Sequence, residues 1–596
     1  MPHPTVNPAE EYTARLSVHE AQVKALTKRD ERLASARLLV GLVIVAIVVA
    51  SLFVHAPLWW TIPALLIFAW LVSKHASIRR ARTRAARAAA FNRRGLDRIN
   101  DRWVGGGQTG ERFLDAHHVY AADLDLFGRG SLFELLSAAR TRMGEQTLAQ
   151  WLLAPAAAEE IRERQSCLAD LRHRLDLRED LDGVGESGVG VHPDVLVAWS
   201  QSANQLQGPW IRAVGFLLPA LMLGTAAIWA FLEVRWPFFL ILIAEIIVLN
   251  VLNKRLEAVI HTAESGFEDL RLLSDLLIRI EREPFAAQAL QALQRHLASH
   301  AQPASRVIAR LRAISDFAGQ RDNMLVRAFL EIPLLYSVHV GLAAEAWRSR
   351  HGAVIQPWLS VIGRLEALCS LAMYSYEHPD DPFPEIAEGN GTFEARALGH
   401  PLLPATACVR NDVGIRAPTR TLLISGSNMS GKSTLLRAVG VNTILAMAGA
   451  PVRAHALRLT PLQVGASIRI NDSLSEGQSR FYAEITRLRA LFELATRDTA
   501  LLFLLDELLQ GTNSNDRRIG AEGVLREFIE RGAIGLISTH DLALTDISGL
   551  HVDALRNVHF EDFFDDGRMS FDFKLRDGIV TKSNGIELMR SIGLKV

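Results

Sequence analysis

Leu422 to Gly440 reads LLISGSNMSGKSTLLRAVG. Thr421 to Ile424 is a short apolar run suited to a strand buried in a parallel sheet. Gly426-Ser-Asn-Met-Ser-Gly431-Lys432-Ser433 then fits G-x-x-x-x-G-K-[ST], and Leu435 to Ala448 carries a helical pattern. The chemistry follows from the parts. Glycines let backbone N–H groups curl round phosphates, and a helix N-terminus adds partial positive charge. Lys432 is placed to reach β- and γ-phosphates, and Ser433 to ligate Mg²⁺. The candidate ligand is ATP with Mg²⁺. The candidate binding residues are Gly426, Ser427, Asn428, Met429, Ser430, Gly431, Lys432, Ser433 and Thr434.

Two stretches downstream agree. ALLFLLDE, Ala500 to Glu507, is an apolar strand ending in two carboxylates. Asp506 is expected in the Mg²⁺ shell beside Ser433. Glu507 is expected to orient or deprotonate an attacking water. AIGLIST ends in His540, which suits a sensor of the γ-phosphate or a holder of the water. A strand ending in polar residues, or a lone histidine, is more often structural. Both assignments lean on the phosphate loop. Lys432, Glu507 and His540 form the candidate catalytic set.

The early part of the chain has another texture. Leu38–Val54 and Leu58–Ser73 are charge-free apolar runs broken at Pro57, and Ala213–Leu232 and Phe238–Leu252 form a second pair. Each pair, with its short connection, predicts a transmembrane helical hairpin. Lys28, Arg29, Arg32 and Arg37 precede the first run, while Lys74, Arg79, Arg80, Arg82, Arg84 and Arg87 follow the second. Lys254 and Arg255 follow the fourth, and the turns carry only Arg235. The positive-inside bias predicts a multi-pass protein of the cell (inner or plasma) membrane, with termini and large segments cytoplasmic. Glu245 and Asn250 lie inside the fourth run, and a helix–helix contact is expected to satisfy the carboxylate. Basic and acidic residues balance at 65 each, so no global field points to nucleic acid. Cys167, Cys369 and Cys408 are far apart, which argues against a disulfide framework and structural zinc.

Residues 9–36 read as a charged helix, and 74–94 as a basic Arg/Ala helix lying against anionic lipid. Packed helices are expected from Ser131 to Leu171 and over 254–375. His378–Gly391, rich in Pro, Gly and Asp, marks a boundary beyond which strands and helices alternate. The expected fold class is multi-domain, α plus α/β. Transmembrane helical hairpins join an all-α core and a C-terminal ABC-type P-loop α/β ATPase domain. The expected segments are an N-terminal helix (1–37), hairpin 1 (38–73), a helical segment with the start of the core (74–212), hairpin 2 (213–252), a core and lever segment (253–385), and the ATPase domain (386–596).

Asn471 to Phe481, NDSLSEGQSRF, resembles the signature segment of the ABC ATPase superfamily. That resemblance implies a segment that caps the γ-phosphate bound by a second copy. The wording of the motifs resembles the MutS family more specifically. SGSNMSGKST resembles its phosphate loop, NDSLSEGQSRFYAEI its trans-acting segment with Ser479 as the serine that reaches across, LLDELLQGTNSNDRRIG its second motif, and STHD its histidine loop. VRNVHFEDFFDDGRMSFDFKLRDGIVTKSNGIELMRSIG resembles the hairpin and helix that close the domain. The likeness is highly specific over 386–596 and weaker over about 120–175 and 360–385. It implies a homodimer closed by ATP, and DNA, mismatched or branched, as a partner. No mismatch-reading domain precedes the first hairpin. The aromatic residue that stacks on adenine is missing, and Cys408 or Val409 falls near its place. The other class weighed is an ABC-type ATPase of membrane transport or remodelling without DNA. The interval from Lys432 to Leu474 is too short for the helical subdomain of transporter ATPases, and two isolated hairpins make no substrate pathway.

Overall fold

The computed structural model describes residues 7–54, 57–184, 193–206, 208–264, 267–298, 302–319, 330–389, 391–469, 480–495, 499–510, 512–540, 553–565 and 568–580. The chain divides into two compact units. One comprises Met1–Ala138, Leu148–Leu175 and Leu368–Val596, the other Ala139–Thr147 and Asp176–Ala367.

The first unit opens with two long helices, α1 (Pro8–Val54) and α2 (Thr61–Ile99), packed along each other. The charged segment 9–36 and the first apolar run are one uninterrupted helix, because Ser35-Ala36-Arg37 contains nothing that breaks one. Likewise α2 carries the second apolar run straight into the basic stretch. Residues 74–94 run along α1 as part of that helix. They form a stalk with α1, in which Asp30 accepts from Arg82 at 2.7 Å and pairs with His75 at 3.0 Å. The far end of the stalk is anchored. The carboxylate of Glu377, almost wholly buried, accepts from the Tyr12 hydroxyl at 3.0 Å and from two Arg98 nitrogens at 2.8 and 2.7 Å. Tyr12 also meets Phe91 and Tyr376 edge-on. Short helices α3 (Leu132–Leu136) and α5 (Ala158–Leu171) follow, with the second half of α4 (Arg142–Leu153), whose first half is counted in the other unit.

The second unit is helical among the described residues. It contains α6 (Leu175–Val184), α7 (Pro193–Gln201), α8 (Pro209–Leu232), α9 (Trp236–Glu264), α10 (Phe267–Arg282), α11 (Gln288–Leu297), α12 (Ala304–Gly319), α13 (Ile332–Leu334) and most of α14 (Tyr336–Glu377). Helices α8 and α9 pair as a hairpin, with Trp229 packed against Phe238 at 5.1 Å beside the turn. Among the described residues, four helices are long and apolar enough to cross a membrane: Pro8–Phe53, Thr61–Ile99, Pro209–Leu232 and Trp236–Glu257. Many of their large apolar residues face outward, among them Leu38, Leu52, Trp70, Phe231 and Ile243. The contact expected for Glu245 is not made. Among the described residues both carboxyl oxygens are buried without a partner, because the buried face of α8 presents Ile211, Gly215, Pro219 and Met222 and no donor side chain.

Strands begin after α14. A four-stranded sheet has the order β1-β5-β2-β3, from β1 (Glu385–Ile386), β2 (Phe393–Leu398), β3 (Asn411–Ile415) and β5 (Ala456–Leu459). The main sheet has six strands, ordered β10-β9-β4-β8-β7-β6. They are β4 (Thr421–Ser425), β6 (Leu462–Ser467), β7 (Ala500–Asp506), β8 (Ile534–Thr539), β9 (Leu555–Asp565) and β10 (Arg568–Asp577). All neighbours are parallel except β9 and β10. Strands β4, β6 and β8 are buried throughout, as parallel strands covered on both faces must be. Helices α15 (Lys432–Ala448), α16 (Arg480–Leu494) and α17 (Ser514–Glu530) complete the domain. Phe503 of β7 stacks on Phe528 of α17 at 4.7 Å, and Phe528 on Phe492 of α16 at 4.4 Å. Phe503 also crowds Gly535 of β8, where a Cβ would lie 2.2 Å from its ring, so that strand position requires glycine.

Candidate nucleotide site

Strand β4 runs up the middle of the sheet and ends in the phosphate loop, which turns into α15. Gly426 (φ 152°) and Gly431 (φ 108°) take backbone angles that other residues rarely adopt. A Cβ at Gly426 would stand 3.0 Å from the Ser430 hydroxyl and 3.1 Å from the Phe560 carbonyl oxygen. Met429 at the loop tip is also left-handed (φ 71°) and 84% exposed. Lys432 is buried and folded back, donating to the carbonyls of Gly426 and Ser427 at 2.8 Å each. Burial pushes its ammonium pKa down, against the pull of Glu507 and Asp506. Ser427 and Ser430 have buried hydroxyls with no partner. A loop with idle donors and a lysine satisfied only by its own carbonyls is suited to an anion.

The parallel register brings the carboxylates to the same end of the sheet. Asp506 closes β7 opposite Ser538 of β8. Its two oxygens accept from the Ser433 hydroxyl, at 2.5 Å, and from the Ser538 hydroxyl. A serine oxygen and a carboxylate in contact form a hard oxygen pair of the kind that holds Mg²⁺. Glu507 follows in a left-handed turn (φ 52°), pinned by its N–H to the Ser538 carbonyl at 3.1 Å. Its carboxylate meets Gln510 on one oxygen and His540 Nδ1, at 3.3 Å, on the other. The structure therefore brings Lys432, Ser433, Asp506, Glu507 and His540 to one end of the sheet. Asn428 and Thr434 stand in the same loop and first helical turn. Ser479, with the rest of Asn471–Ser479, lies outside the described residues.

Sequence reasoning missed several participants. Ser538 and Gln510 orient the carboxylates, and neither type is diagnostic alone. Glu484 of α16 is buried and accepts from the Leu509 N–H at 2.6 Å, bracing the turn after Glu507. A cavity of about 200 Å³ opens beside Gly431, lined by Leu403, Cys408, Val409, Thr434, Phe560 and Phe573 among others. Cys408 and Val409 sit in its wall, and the aromatic side chains there come from β9 and β10. The pairing of β9 with β10 slips between Phe571 and Leu575. In that irregularity Phe573 adopts φ 55° and comes within 3.2 Å of where a Gly431 Cβ would be. Alternation alone does not reveal such a slip.

A parallel sheet ending in a glycine-rich loop, with a lysine, a serine and two carboxylates converging on a helix N-terminus, defines a P-loop nucleotide-binding domain. Residues 422–595 match the family described as MutS domain V. The chain is 31% identical over 280 residues to DNA mismatch repair protein MutS 2 of Halobacterium salinarum, covering 46% of this chain and 32% of that protein. It is 30% identical over 267 residues to DNA mismatch repair protein MutS of Lactococcus lactis subsp. cremoris, covering 44% and 31%. With MutS 1 of Halobacterium salinarum the figures are 34% over 257 residues, 42% and 29%. The chain spans about a third of the length of these curated relatives.

Proposed function

We propose that this chain is a membrane-anchored, MutS-like ATPase that binds ATP between two copies and hydrolyses it, coupled to DNA that is mismatched or branched. The observation that carries the ATPase reading is the Ser433–Asp506 contact at the mouth of the loop that holds Lys432. Residues Gly426 to Thr434 would hold the phosphates. Lys432 would exchange two loop carbonyls for phosphate oxygens. Ser433 and Asp506 would hold Mg²⁺, and the cavity under Phe573 would take the base. Bound ATP with its metal supplies an electrophilic γ-phosphorus. Glu507 accepts the proton of the attacking water, with Gln510 and His540 fixing its two oxygens. Ser479 would complete the site of the other copy.

Support for the membrane part is the four long apolar helices and their basic flanks. Support for DNA is the name that the similar proteins carry, DNA mismatch repair protein. In Glu507→Gln, Mg²⁺-dependent turnover should fall by about a hundredfold or more while nucleotide binding persists; unchanged turnover rejects Glu507 as the base. Duplex and branched DNA binding by the full chain in detergent should weaken steeply with salt. The apolar helices also favour a second reading, an ATPase of membrane transport or remodelling without DNA. ATP-dependent uptake into liposomes, with no salt-sensitive DNA binding, would select it.

A further inference from the structure

Glu245 lies on α9, and the site chemistry above does not use it. Its exposure is 0%, and neither carboxyl oxygen has a hydrogen-bond partner among the described residues. Its depth follows from helix geometry. Trp236 to Glu245 is about 14 Å of helix, and Glu245 to Lys254 the same. The carboxyl thus stands midway along the apolar stretch, near the centre of a hydrocarbon core about 30 Å thick. Its position is inward, since Leu252, Leu256 and Val259 continue the buried stripe. Counting equal steps from the Trp229–Phe238 contact puts it level with the buried Met222 of α8.

Helices α7, α8, α12 and α13 pack on α9. Their titratable groups are Asp194 on α7, Arg212 on α8, and Arg306, Arg310, Arg312 and Asp316 on α12, while Glu331 precedes α13. Helix α14 meets α9 as well, Gly341 against Leu256, and brings His339, whose ring lies 5.0 Å from that of Phe216 on α8, and the paired Glu345 and Arg348. Among the described residues none pairs with Glu245. Arg212 falls level with Arg255, about 15 Å of helix away. Glu331 is engaged by the Ser337 hydroxyl at 2.8 Å, and Asp316 by Arg312. An ionised carboxylate so placed loses its hydration and gains no counter-charge, so it carries a proton instead.

We propose that Glu245 is an intramembrane proton-binding site, a carboxylic acid that stays protonated at neutral pH between the helices of the second hairpin. The ligand is the proton itself. This rests on the reading that α8 and α9 span the bilayer.

The neutral acid is the form that reacts with a carbodiimide. Its proton passes to a carbodiimide nitrogen, its oxygen bonds to the central carbon, and an acyl shift to nitrogen leaves a stable N-acylurea with nothing expelled. The full chain in native membranes is treated at neutral pH with dicyclohexylcarbodiimide and its peptides are weighed. Glu245 should be modified about a hundredfold or more over the exposed Glu233 and Glu257, the ratio expected when one carboxyl stays neutral at a pH where ordinary glutamates are almost wholly ionised. The adduct should vanish in Glu245→Gln, and a water-soluble carbodiimide with an added amine should spare Glu245. The decisive measurement is on the unaltered chain. No adduct at Glu245, or one on that peptide in the glutamine variant, overturns the proposal. Alkaline extraction of the same membranes tests the span separately. A chain that washes off refutes the span, while labelling still decides the acid.

Discussion

Phe573 shows how far one side chain can move the reading of a site. Its left-handed backbone and its place in the wall beside Gly431 supply an aromatic face where Cys408 and Val409 offer none. In Phe573→Ala, ATP affinity should weaken by about tenfold with little loss of fold, since an aromatic contact is worth about 0.5–1.5 kcal/mol beyond its area; titration with a fluorescent nucleotide reads this. His400 borders the same cavity. Burial lowers its pKa to about 4, and its Nδ1 accepts from the Leu402 N–H at 3.2 Å, which fits a neutral ring. The unfolded chain binds that proton near pH 6.5, so acid favours unfolding. The stability held above pH 6.5 should be lost progressively towards pH 4, by on the order of 3 kcal/mol. Thermal melts of His400→Gln against the parent across that range should converge in acid; parallel curves reject the assignment.

At the scale of elements, the joint at Glu377 ties the stalk to the last turn of α14. One carboxylate there accepts from Tyr12 and, with both its oxygens, from one edge of Arg98. Removing it leaves a largely buried guanidinium without its counter-charge, which costs about 3–5 kcal/mol. Glu377→Ala should therefore lower the melting temperature of the detergent-solubilised chain and open α1 and α2 to protease near Tyr12 and Arg98. Unchanged digestion would mean that the apolar contacts of Tyr12 suffice. A similar logic holds at α16, where Glu484 anchors the turn after Glu507 to the helix.

For the whole molecule, the proposal of two copies closed by nucleotide has a surface to test. Met429 is 84% exposed and Tyr482 58%, and Ile485 and Ile519 are exposed as well. Large apolar side chains left in water near a ligand loop mark a surface that expects a partner. With ATP and Mg²⁺, the Glu507→Gln chain should shift from monomer to dimer in sedimentation. Tyr482→Glu in that background should hold it monomeric without abolishing nucleotide binding. A chain that stays single under both conditions defeats the sandwich.

The phosphate loop, its strand and helix, the two carboxylates and the four apolar runs were all legible in the residues. Each is a local pattern: glycines at fixed spacing, apolar runs of set length, polar residues at a strand end. Covalent order and side-chain chemistry suffice to write such patterns. What the linear order could not decide was which distant groups meet. The slip in β10 that turns Phe573 to the cavity, the Ser538 hydroxyl on Asp506, the Glu377 joint and the partnerless Glu245 all arise from register and packing between segments far apart in the chain. These depend on how whole helices and strands pack and shut out water, and only the folded molecule settles that.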